Sequence, residues 1–428
     1  MNESSFQTLD KNFPKNHLPA LETPFGARSM YGAVSYCNRC GSCLHVCPTY
    51  LLTQEEPFSP RGRNQLARLL LERKLKLTDN LSLIQKSIFS CTLCGACSQV
   101  CAGNIPTAHV VLEMRRLLKT HVLPASLHGF LSLRDTHPDW FARLTRGGIL
   151  MRRWGLIKLL RFSGLADLCG LSWLHRADKL VPKFQKTVFE KARALLAQTE
   201  EKPALIYLPS LEAEFLLPEI LISSYESAAQ KFRTVIWSNT STGLFEYIYG
   251  DVRRARYQLK KLILRHRAIG ELPLVTDSVD VFQFLKNAPS LFCAFPRWQQ
   301  KARRLSARVA FISSFLLADT KQISGPVALS NDSLFPSEMS CFTDVQKILQ
   351  TIFGQNFVEC NYPVHLPTYG YSFGKGNWFR QIAPLVVKPV LDNQVKTVVS
   401  LSGWSMLEWR VLTKKHDVKI LHIAQLNR

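Results

Sequence analysis

Eight of the twelve cysteines in this sequence fall into two blocks that share one spacing. Each block reads C-x2-C-x2-C-x3-C, and a glycine follows the second cysteine of each. Block one consists of Cys37, Cys40, Cys43 and Cys47, and block two consists of Cys91, Cys94, Cys97 and Cys101. This spacing is typical of bacterial [4Fe–4S] sites, in which closely spaced thiolates on a tight loop wrap one face of the cluster. The sequence therefore predicts two [4Fe–4S] clusters.

The fourth cysteine of each block indicates how the ligands are shared. In two-cluster proteins with this spacing, the fourth cysteine binds the cluster of the other block. We therefore expect cluster one to take Cys37, Cys40, Cys43 and Cys101, and cluster two to take Cys91, Cys94, Cys97 and Cys47. Such an exchange holds the two blocks together and places the clusters close enough to pass electrons.

Zinc and disulfide bonds are the alternative uses of these cysteines. Structural zinc sites usually take four thiolates from two C-x2-C pairs, and they do not need a third and fourth cysteine in each block. Disulfides are disfavoured in a reducing compartment, and the N-terminus has no apolar signal segment. The remaining cysteines are isolated in the sequence and are expected to be ordinary thiols: Cys169, Cys293, Cys341 and Cys360.

Helices are expected to position the two blocks. Ser59 precedes Pro60 in the pattern of a helix start, and leucines follow at helical spacing. The segment from Ser82 to Phe89 indicates a second helix that leads into block two, and Thr107 indicates the start of a third. The module is therefore predicted to be helical, unlike a compact βαβ ferredoxin.

The run CNRCGSCLHVCPTYLLTQEEPFSPRGRNQLARLLLERK, followed by CTLCGACSQVC, resembles the iron–sulfur subunit of glycolate oxidase and its relatives. Those relatives include lactate-utilisation iron–sulfur proteins, the C subunit of anaerobic glycerol-3-phosphate dehydrogenase and heterodisulfide-reductase-like subunits. The most specific matches are the Cys-Pro-Thr-Tyr that ends block one and the element from Ser59 to Arg63, and the strong resemblance covers roughly residues 30 to 120.

The resemblance implies an electron-transfer subunit. A flavoprotein partner would oxidise a 2-hydroxy acid such as glycolate or lactate, and electrons would leave through this chain toward a quinone or another carrier. Catalysis at carbon would belong to the partner, because this chain shows no nucleotide-binding glycine fingerprint. A docking subunit of a larger membrane-associated redox assembly remains the alternative.

Two arginines in the Ser-Pro-Arg-Gly-Arg element are candidate cofactor-binding residues. Arg61 and Arg63 stand at a helix start close to block one. Because a thiolate-ligated cluster carries net negative charge, these guanidinium groups would stabilise it electrostatically. The alternative is that both are solvated arginines on the surface.

The C-terminal half resembles the family in outline. Relatives continue with two α/β half-domains, each with a Cys-Cys-Gly element and a later cysteine. A faint internal repeat appears here in the β-rich runs that begin at Ala204, Leu274, Val327 and Val398. However, Thr242-Gly243 and Tyr369-Gly370 stand where the paired cysteines would be, and Ser278 and Ser402 stand near the later ones. Without thiolates no cluster can be held there, so these half-domains are predicted to act as scaffold and docking surface.

These observations predict an α plus α/β protein, in which an N-terminal helical dicluster module of the α-helical ferredoxin type precedes two degenerate α/β half-domains. The expected segments are an N-terminal extension (1–30), the dicluster module (31–120), a basic helical connector (121–200) and the two half-domains (201–310 and 311–428). No stretch approaches the ~20 apolar residues that a membrane-spanning helix needs. We expect a cytoplasmic protein, free or peripheral on the cytoplasmic membrane.

The net positive charge of the chain predicts an anionic partner or surface. Fifty-four Lys and Arg against 32 Asp and Glu give a net charge of +22. The 46% content of hydrophobic residues separately excludes a wholly disordered chain. Two basic runs, Arg152 to Phe162 and Arg253 to Arg267, could face a membrane surface, an acidic flavoprotein subunit or solvent. Nucleic acid is not expected, because the sequence contains no recognised reading module.

Overall fold

The computed structural model describes most of residues 21–426. The exceptions within that range are 24–25, 77–79, 119–132, 135–136, 138–139, 142, 146, 149–185, 198–201, 317–322, 324, 331, 333–339 and 365–375. The first basic run and the Tyr369-Gly370 position therefore lie outside the described residues, as does Cys169.

The described part contains sixteen helices and ten strands. The helices are α1 (Met30–Ser35), α2 (Pro48–Thr53), α3 (Pro60–Leu71), α4 (Leu81–Ser90), α5 (Ala96–Gln99), α6 (Thr107–Leu118), α7 (Lys186–Leu196), α8 (Leu211–Phe215), α9 (Pro218–Ala229), α10 (Leu244–Ile248), α11 (Val252–Ala268), α12 (Val279–Lys286), α13 (Pro296–Arg308), α14 (Ser340–Phe353), α15 (Gly376–Asp392) and α16 (Gly403–Leu412). The strands are β1 (Leu21–Thr23), β2 (Gly26–Arg28), β3 (Leu205–Leu208), β4 (Thr234–Ile236), β5 (Leu274–Thr276), β6 (Val309–Phe311), β7 (Val327–Leu329), β8 (Phe357–Val358), β9 (Thr397–Ser400) and β10 (Lys419–His422).

The chain forms two compact units that do not follow the order of the sequence. The first unit comprises residues 1–120, 242–271 and 283–308, and the second comprises residues 121–241, 272–282 and 309–428. Two pieces of the segment 201–310 thus pack with the cysteine blocks. The division into five consecutive segments stays a prediction.

Helix α3 starts where the sequence predicts, next to block one. The hydroxyl of Ser59 accepts a hydrogen bond of 2.9 Å from the backbone N–H of Gly62, and Pro60 occupies the first helical position. The helix buries Ala67 and Leu70 among its neighbours. The two other predicted helices are confirmed as α4, which ends at block two, and α6, which begins at Thr107.

Two four-stranded parallel sheets organise the second unit. Their strand orders are β4-β3-β5-β6 and β8-β7-β9-β10, so the same order occurs twice along the chain. Strands β3 and β9 are buried along their whole length, as is typical of parallel strands covered on both faces. The predicted α plus α/β class is confirmed. The shared strand order favours an internal repeat, which remains an interpretation of the sequence.

The carboxyl ends of the central strands lie together within the second unit. The backbone N–H of Val279, just after β5, donates a hydrogen bond of 3.0 Å to the carbonyl of Leu401, just after β9. Across the same edge, the hydroxyl of Ser402 lies 3.1 Å from a carboxylate oxygen of Asp280. None of the helices in the described ranges is long and apolar enough to cross a membrane.

Candidate metal centre

The two cysteine blocks adopt the same unusual backbone conformation. The residue before the second cysteine has a positive φ in both, 54° at Arg39 and 57° at Leu93. The glycine after that cysteine has a positive φ as well, 90° at Gly41 and 75° at Gly95. Non-glycine residues rarely adopt a positive φ, and tightly constrained ligand sites are where such conformations persist. Both blocks therefore form the tight loops that their spacing predicts.

Cys47 of block one lies with three thiols of block two. Cys47, Cys91, Cys94 and Cys97 line a single cavity, which Arg63 and Thr49 also border. This grouping has the composition of the predicted second ligand set. Among the described residues, no group of three or more His, Cys, Asp or Glu side chains could hold a single metal ion. A [4Fe–4S] cluster makes a different demand, because each thiolate binds its own iron.

The remaining ligand set is only partly assembled. Cys43 lies within electrostatic reach of Cys37 and Cys47, and Cys40 is exposed. The turn after Cys101 approaches block one, because a Cβ at Gly103 would lie 3.8 Å from the carbonyl of Tyr36. That approach favours Cys101 as the fourth ligand of cluster one, which stays a prediction.

Two of the cavity thiols, those of Cys94 and Cys97, have raised pKa values and are poor acids. Burial, followed by the neighbouring Cys91 and Cys47 thiolates, raises the pKa of Cys94 to about 12. Burial and three neighbouring thiolates of the same cavity raise the pKa of Cys97 well above its ordinary value. Ligation of a cluster by these thiols must therefore displace their protons, and the positively charged iron ions of the cluster can do so. The four thiols that line this cavity fit such a group.

Arg63 is a buried guanidinium beside the cavity. It is 1% exposed, and its Nη1 lies 3.9 Å from the sulfur of Cys47. Its other nitrogens donate to the carbonyl of Ser87 at 2.9 Å, to the hydroxyl of Thr49 at 3.0 Å and to the hydroxyl of Ser90 at 2.8 Å. It therefore brings a positive charge to Cys47 and ties α3 to the end of α4. It is not a solvated surface residue.

Arg61 lies on the side of block one and is partly exposed. Its Nε and Nη2 form a bidentate pair with Glu56, at 2.6 and 3.0 Å, and its Nη1 donates to the carbonyl of Arg39 at 3.3 Å. The backbone N–H of Arg61 also lowers the pKa of Cys43, against the larger effect of burial, which raises it to about 11. This contact orients a donor toward a predicted ligand of cluster one.

The close packing around position 62 explains why a glycine, Gly62, stands between these two arginines. A Cβ at this position would lie 1.9 Å from the carbonyl oxygen of Glu56, closer than real Cβ atoms approach. The 3₁₀ turn Glu56–Phe58 packs directly on the start of α3, and a glycine permits that approach. The Ser-Pro-Arg-Gly-Arg element is thus a compact support for both blocks.

Arg115 belongs to the site, although sequence reasoning did not identify it. It is 1% exposed and donates to the carbonyl of Cys91 at 2.6 Å and to the carbonyl of Ile248 at 2.8 Å. It also lies 5.3 Å from the ring centroid of Phe89. The sequence pattern of α6 does point to Arg115, because this residue follows the buried Val111 by one helical turn on the apolar face of the helix. A charge on an apolar stripe indicates a buried partner.

In the second unit, serines stand near the later cysteine positions of the family. Ser278 and Ser402 are 1% and 0% exposed, at the edge where the two sheets meet. Nearby, Asp332 accepts hydrogen bonds from the backbone of Leu401 at 2.6 Å and from the hydroxyl groups of Ser400 and Ser405. These hydrogen bonds tie the buried serines of this edge to Asp332, whereas Glu212 and Thr276 each keep a buried side-chain oxygen with no hydrogen-bond partner.

The same edge contains two carboxyl groups whose pKa values are raised by burial. Burial, followed by the charge of Asp277, raises the pKa of Glu212 to about 8. Burial raises the pKa of Asp277 to about 6, although hydrogen bonds from Tyr207 and Ser210 lower it. Outside the two blocks, the cysteines whose side chains the structure describes are Cys293 and Cys360, and their thiols belong to no cysteine pair.

Comparison with protein families identifies the dicluster segment. Residues 33–105 match the family described as a 4Fe-4S dicluster domain. The match spans both blocks, Arg61 and Arg63, and it ends before α6. The segment is therefore a [4Fe–4S]-binding domain, which confirms the cofactor class that the cysteine spacing predicts.

Three curated relatives support the resemblance. The chain is 28% identical over 364 residues, 81% of each protein, to a probable glycolate oxidase iron-sulfur subunit of Bacillus subtilis (strain 168). It is 26% identical over 100 residues, 23% of this chain and 20% of the relative, to lactate utilization protein B of Macrococcus caseolyticus. It is 28% identical over 124 residues, 26% of this chain and 29% of the relative, to one subunit of the dihydromethanophenazine:CoB–CoM heterodisulfide reductase of Methanosarcina mazei.

These relatives extend the similarity beyond the cysteine blocks. The Bacillus protein matches 81% of the chain, whereas the dicluster domain matches residues 33–105 alone. No solved structure matches the chain. The resemblance to glycolate oxidase iron–sulfur subunits is confirmed.

Proposed function

We propose that this chain is an electron-transfer subunit with two [4Fe–4S] clusters, working with a flavoprotein that oxidises a 2-hydroxy acid such as glycolate or lactate. Electrons from the flavoprotein leave through this chain toward a quinone or another carrier. The grouping of Cys47 with Cys91, Cys94 and Cys97 carries the proposal, because it supports ligand exchange between the blocks. The name of the Bacillus relative suggests the substrate class of the partner.

The chain's own residues hold, orient and shield the clusters. Bound clusters accept and release single electrons, and their potentials depend on charge, hydrogen bonds to sulfur and burial. Arg63 supplies a buried positive charge at Cys47, and the backbone N–H of Leu93 donates to the sulfur of Cys91 at 3.4 Å. Arg115 fixes the carbonyl of Cys91, so the loop of block two keeps its conformation.

The second candidate is a docking subunit of a larger membrane-associated redox assembly. The similarity to the heterodisulfide reductase subunit, over 26% of the chain, is the observation that favours it. In either case catalysis at carbon belongs to a partner protein, because this chain shows no nucleotide-binding glycine fingerprint. We place the protein in the cytoplasm or on the cytoplasmic membrane surface.

Anaerobic purification from native cells tests the proposal. The chain should contain about eight irons and eight acid-labile sulfides. Its reduced form should show the EPR signals of two interacting paramagnetic clusters. A flavoprotein should copurify, and glycolate or lactate should reduce the clusters only when it is present. Stoichiometric zinc without sulfide would reject the clusters. Recovery with a large quinone-reducing complex, and no response to 2-hydroxy acids, would favour the second candidate.

A further inference from the structure

Helices α11 and α13 together form a strongly basic surface on the first unit. They carry twelve Lys and Arg side chains and no Asp or Glu. Nine of the twelve are arginines: Arg253, Arg254, Arg256, Arg265, Arg267, Arg297, Arg303, Arg304 and Arg308. The two helices contact each other, and α11 buries its apolar side through Leu259, Leu262 and Ile263. We call the outward side the α11–α13 face.

Exposed aromatic and aliphatic side chains lie among these charges. Tyr257 is 58% exposed and Leu264 is 50% exposed, and both lie on the outward side of α11. The ammonium of Lys260 lies 5.0 Å from the ring centroid of Trp298, and that of Lys301 lies 4.5 Å from it. The ring of Trp298 therefore contacts two cations, and it also stacks on the ring of Phe292 at 6.2 Å between centroids.

The acidic side chains near the face balance few of these charges. Glu271 lies 3.7 Å from Arg267 and 3.8 Å from Arg304, both distances being long for an ion pair. Arg253, Lys261, Arg297 and Arg303 are exposed to solvent. The face therefore has a positive potential that an acidic surface could complement.

The α11–α13 face is connected to block two through Arg115. One guanidinium donates both to the carbonyl of Cys91 and to the carbonyl of Ile248, the last residue of α10. Helix α11 begins at Val252, a few residues later. Glu113 of α6 also lies within electrostatic reach of Arg256 in α11. A protein bound to this face would therefore contact a helix, α11, that is linked through Ile248 and Arg115 to the loop of block two.

We propose that the α11–α13 face is the docking surface for the acidic face of a redox protein that exchanges electrons with this chain. The inference rests on the proposed electron-transfer function and names the surface that the partner uses. Arginine and aromatic residues are enriched in protein interfaces and their hot spots, whereas lysine is depleted there. Arginine also binds carboxylates in a bidentate manner. This composition favours a protein over a lipid surface.

Binding to flavodoxin, a small acidic flavoprotein, tests the proposal with a defined probe. The variant replaces four exposed cations of the face by glutamate (Arg253→Glu, Lys261→Glu, Arg297→Glu and Arg303→Glu). The matched control makes the same change at four exposed cations of the second unit (Lys202→Glu, Arg233→Glu, Lys414→Glu and Lys415→Glu). Both variants must retain wild-type iron content and melting temperature before they are compared.

The wild-type chain and the control should bind reduced flavodoxin with salt-dependent affinity, and the face variant should bind at least about tenfold more weakly. Reduction of the clusters by dithionite, which needs no docking, should be unchanged in all three. Equal binding by all three proteins would overturn the proposal while leaving the clusters intact. Loss of sedimentation with phosphatidylglycerol vesicles in the face variant, with unchanged flavodoxin binding, would assign the face to a membrane instead. Absence of clusters would instead reject the proposed function.

Discussion

The guanidinium of Arg63 lies 3.9 Å from the sulfur of Cys47, a residue 16 positions earlier in the chain. The two residues meet because the Ser-Pro-Arg-Gly-Arg element starts α3 immediately beside the end of block one. All three guanidinium nitrogens of Arg63 are engaged by buried oxygen or sulfur atoms. A cation that is fully bonded in the protein interior can influence a nearby cluster strongly, since water does not screen it.

Replacing Arg63 should therefore weaken cluster two specifically. In Arg63→Met the positive charge is lost, and the hydroxyl groups of Thr49 and Ser90 lose their donor. Iron content should fall from about eight toward about four per chain, and any cluster that remains should be harder to reduce, with a more negative midpoint potential. Iron analysis and redox titration followed by EPR measure both effects.

Arg63→Lys is the conservative comparison for that prediction. Lysine keeps the charge but cannot reproduce the planar fork that reaches three partners. The potential should move back toward the wild-type value while the iron content stays reduced. A wild-type potential in Arg63→Met would show that the charge of Arg63 does not reach the cluster.

If the two blocks exchange ligands, replacing the fourth cysteine of one block should alter the cluster held by the other block. Because Cys47 lines the cavity of block two, Cys47→Ser should alter the EPR signal of the cluster held by Cys91, Cys94 and Cys97. Cys101→Ser should alter the other signal. The two signals can be assigned with Cys94→Ser and Cys40→Ser, which remove one ligand from within each block. If Cys47→Ser and Cys40→Ser changed the same signal, the exchange would be wrong.

The local parts of this architecture could be predicted from the sequence. The loops of both blocks and the starts of α3 and α6 depend on neighbouring residues, so spacing and capping patterns indicate them directly. The central strands β3, β5, β7 and β9 could also be located, since buried parallel strands form short apolar runs.

The long-range parts could not be predicted in this way. Residues 242–271 and 283–308 lie in the first unit, although each piece follows a strand of the second unit in the chain, β4 and β5 respectively. Nothing local in α11 indicates that Ile248, just before it, bonds to Arg115 of the distant α6. The contact between Trp298 of α13 and Lys260 of α11 likewise forms only on folding, because the two residues are far apart in sequence.

Arg115 should be a major source of stability in the first unit. Arg115→Met leaves the buried carbonyls of Cys91 and Ile248 without a donor, and a hydrogen bond from a charged group contributes about 1.5–3 kcal/mol. The melting temperature of this unit should fall by roughly 5–10 °C. Arg68→Met is the control, since Arg68 forms a partly exposed i,i+4 pair with Glu72, and exposed ion pairs contribute little to stability. Equal melting temperatures for the two variants in scanning calorimetry would contradict the role of Arg115.

Glu212 should make the second unit less stable as the pH rises. Its pKa is about 8 in the folded chain against an ordinary value of 4.5, so the folded state holds a proton that the unfolded state releases. The stabilising contribution is fully present below the ordinary value and is lost as the pH rises toward and through about 8, by up to about 1.4 kcal/mol per pH unit. Asp277 titrates lower, at about 6, so the change between about pH 7 and pH 9 reports mainly on Glu212. Glu212→Gln keeps the size of the side chain without the ionisation, and its melting temperature should decline less than that of the wild type over this interval. Parallel declines would show that Glu212 is already ionised at neutral pH in the folded protein.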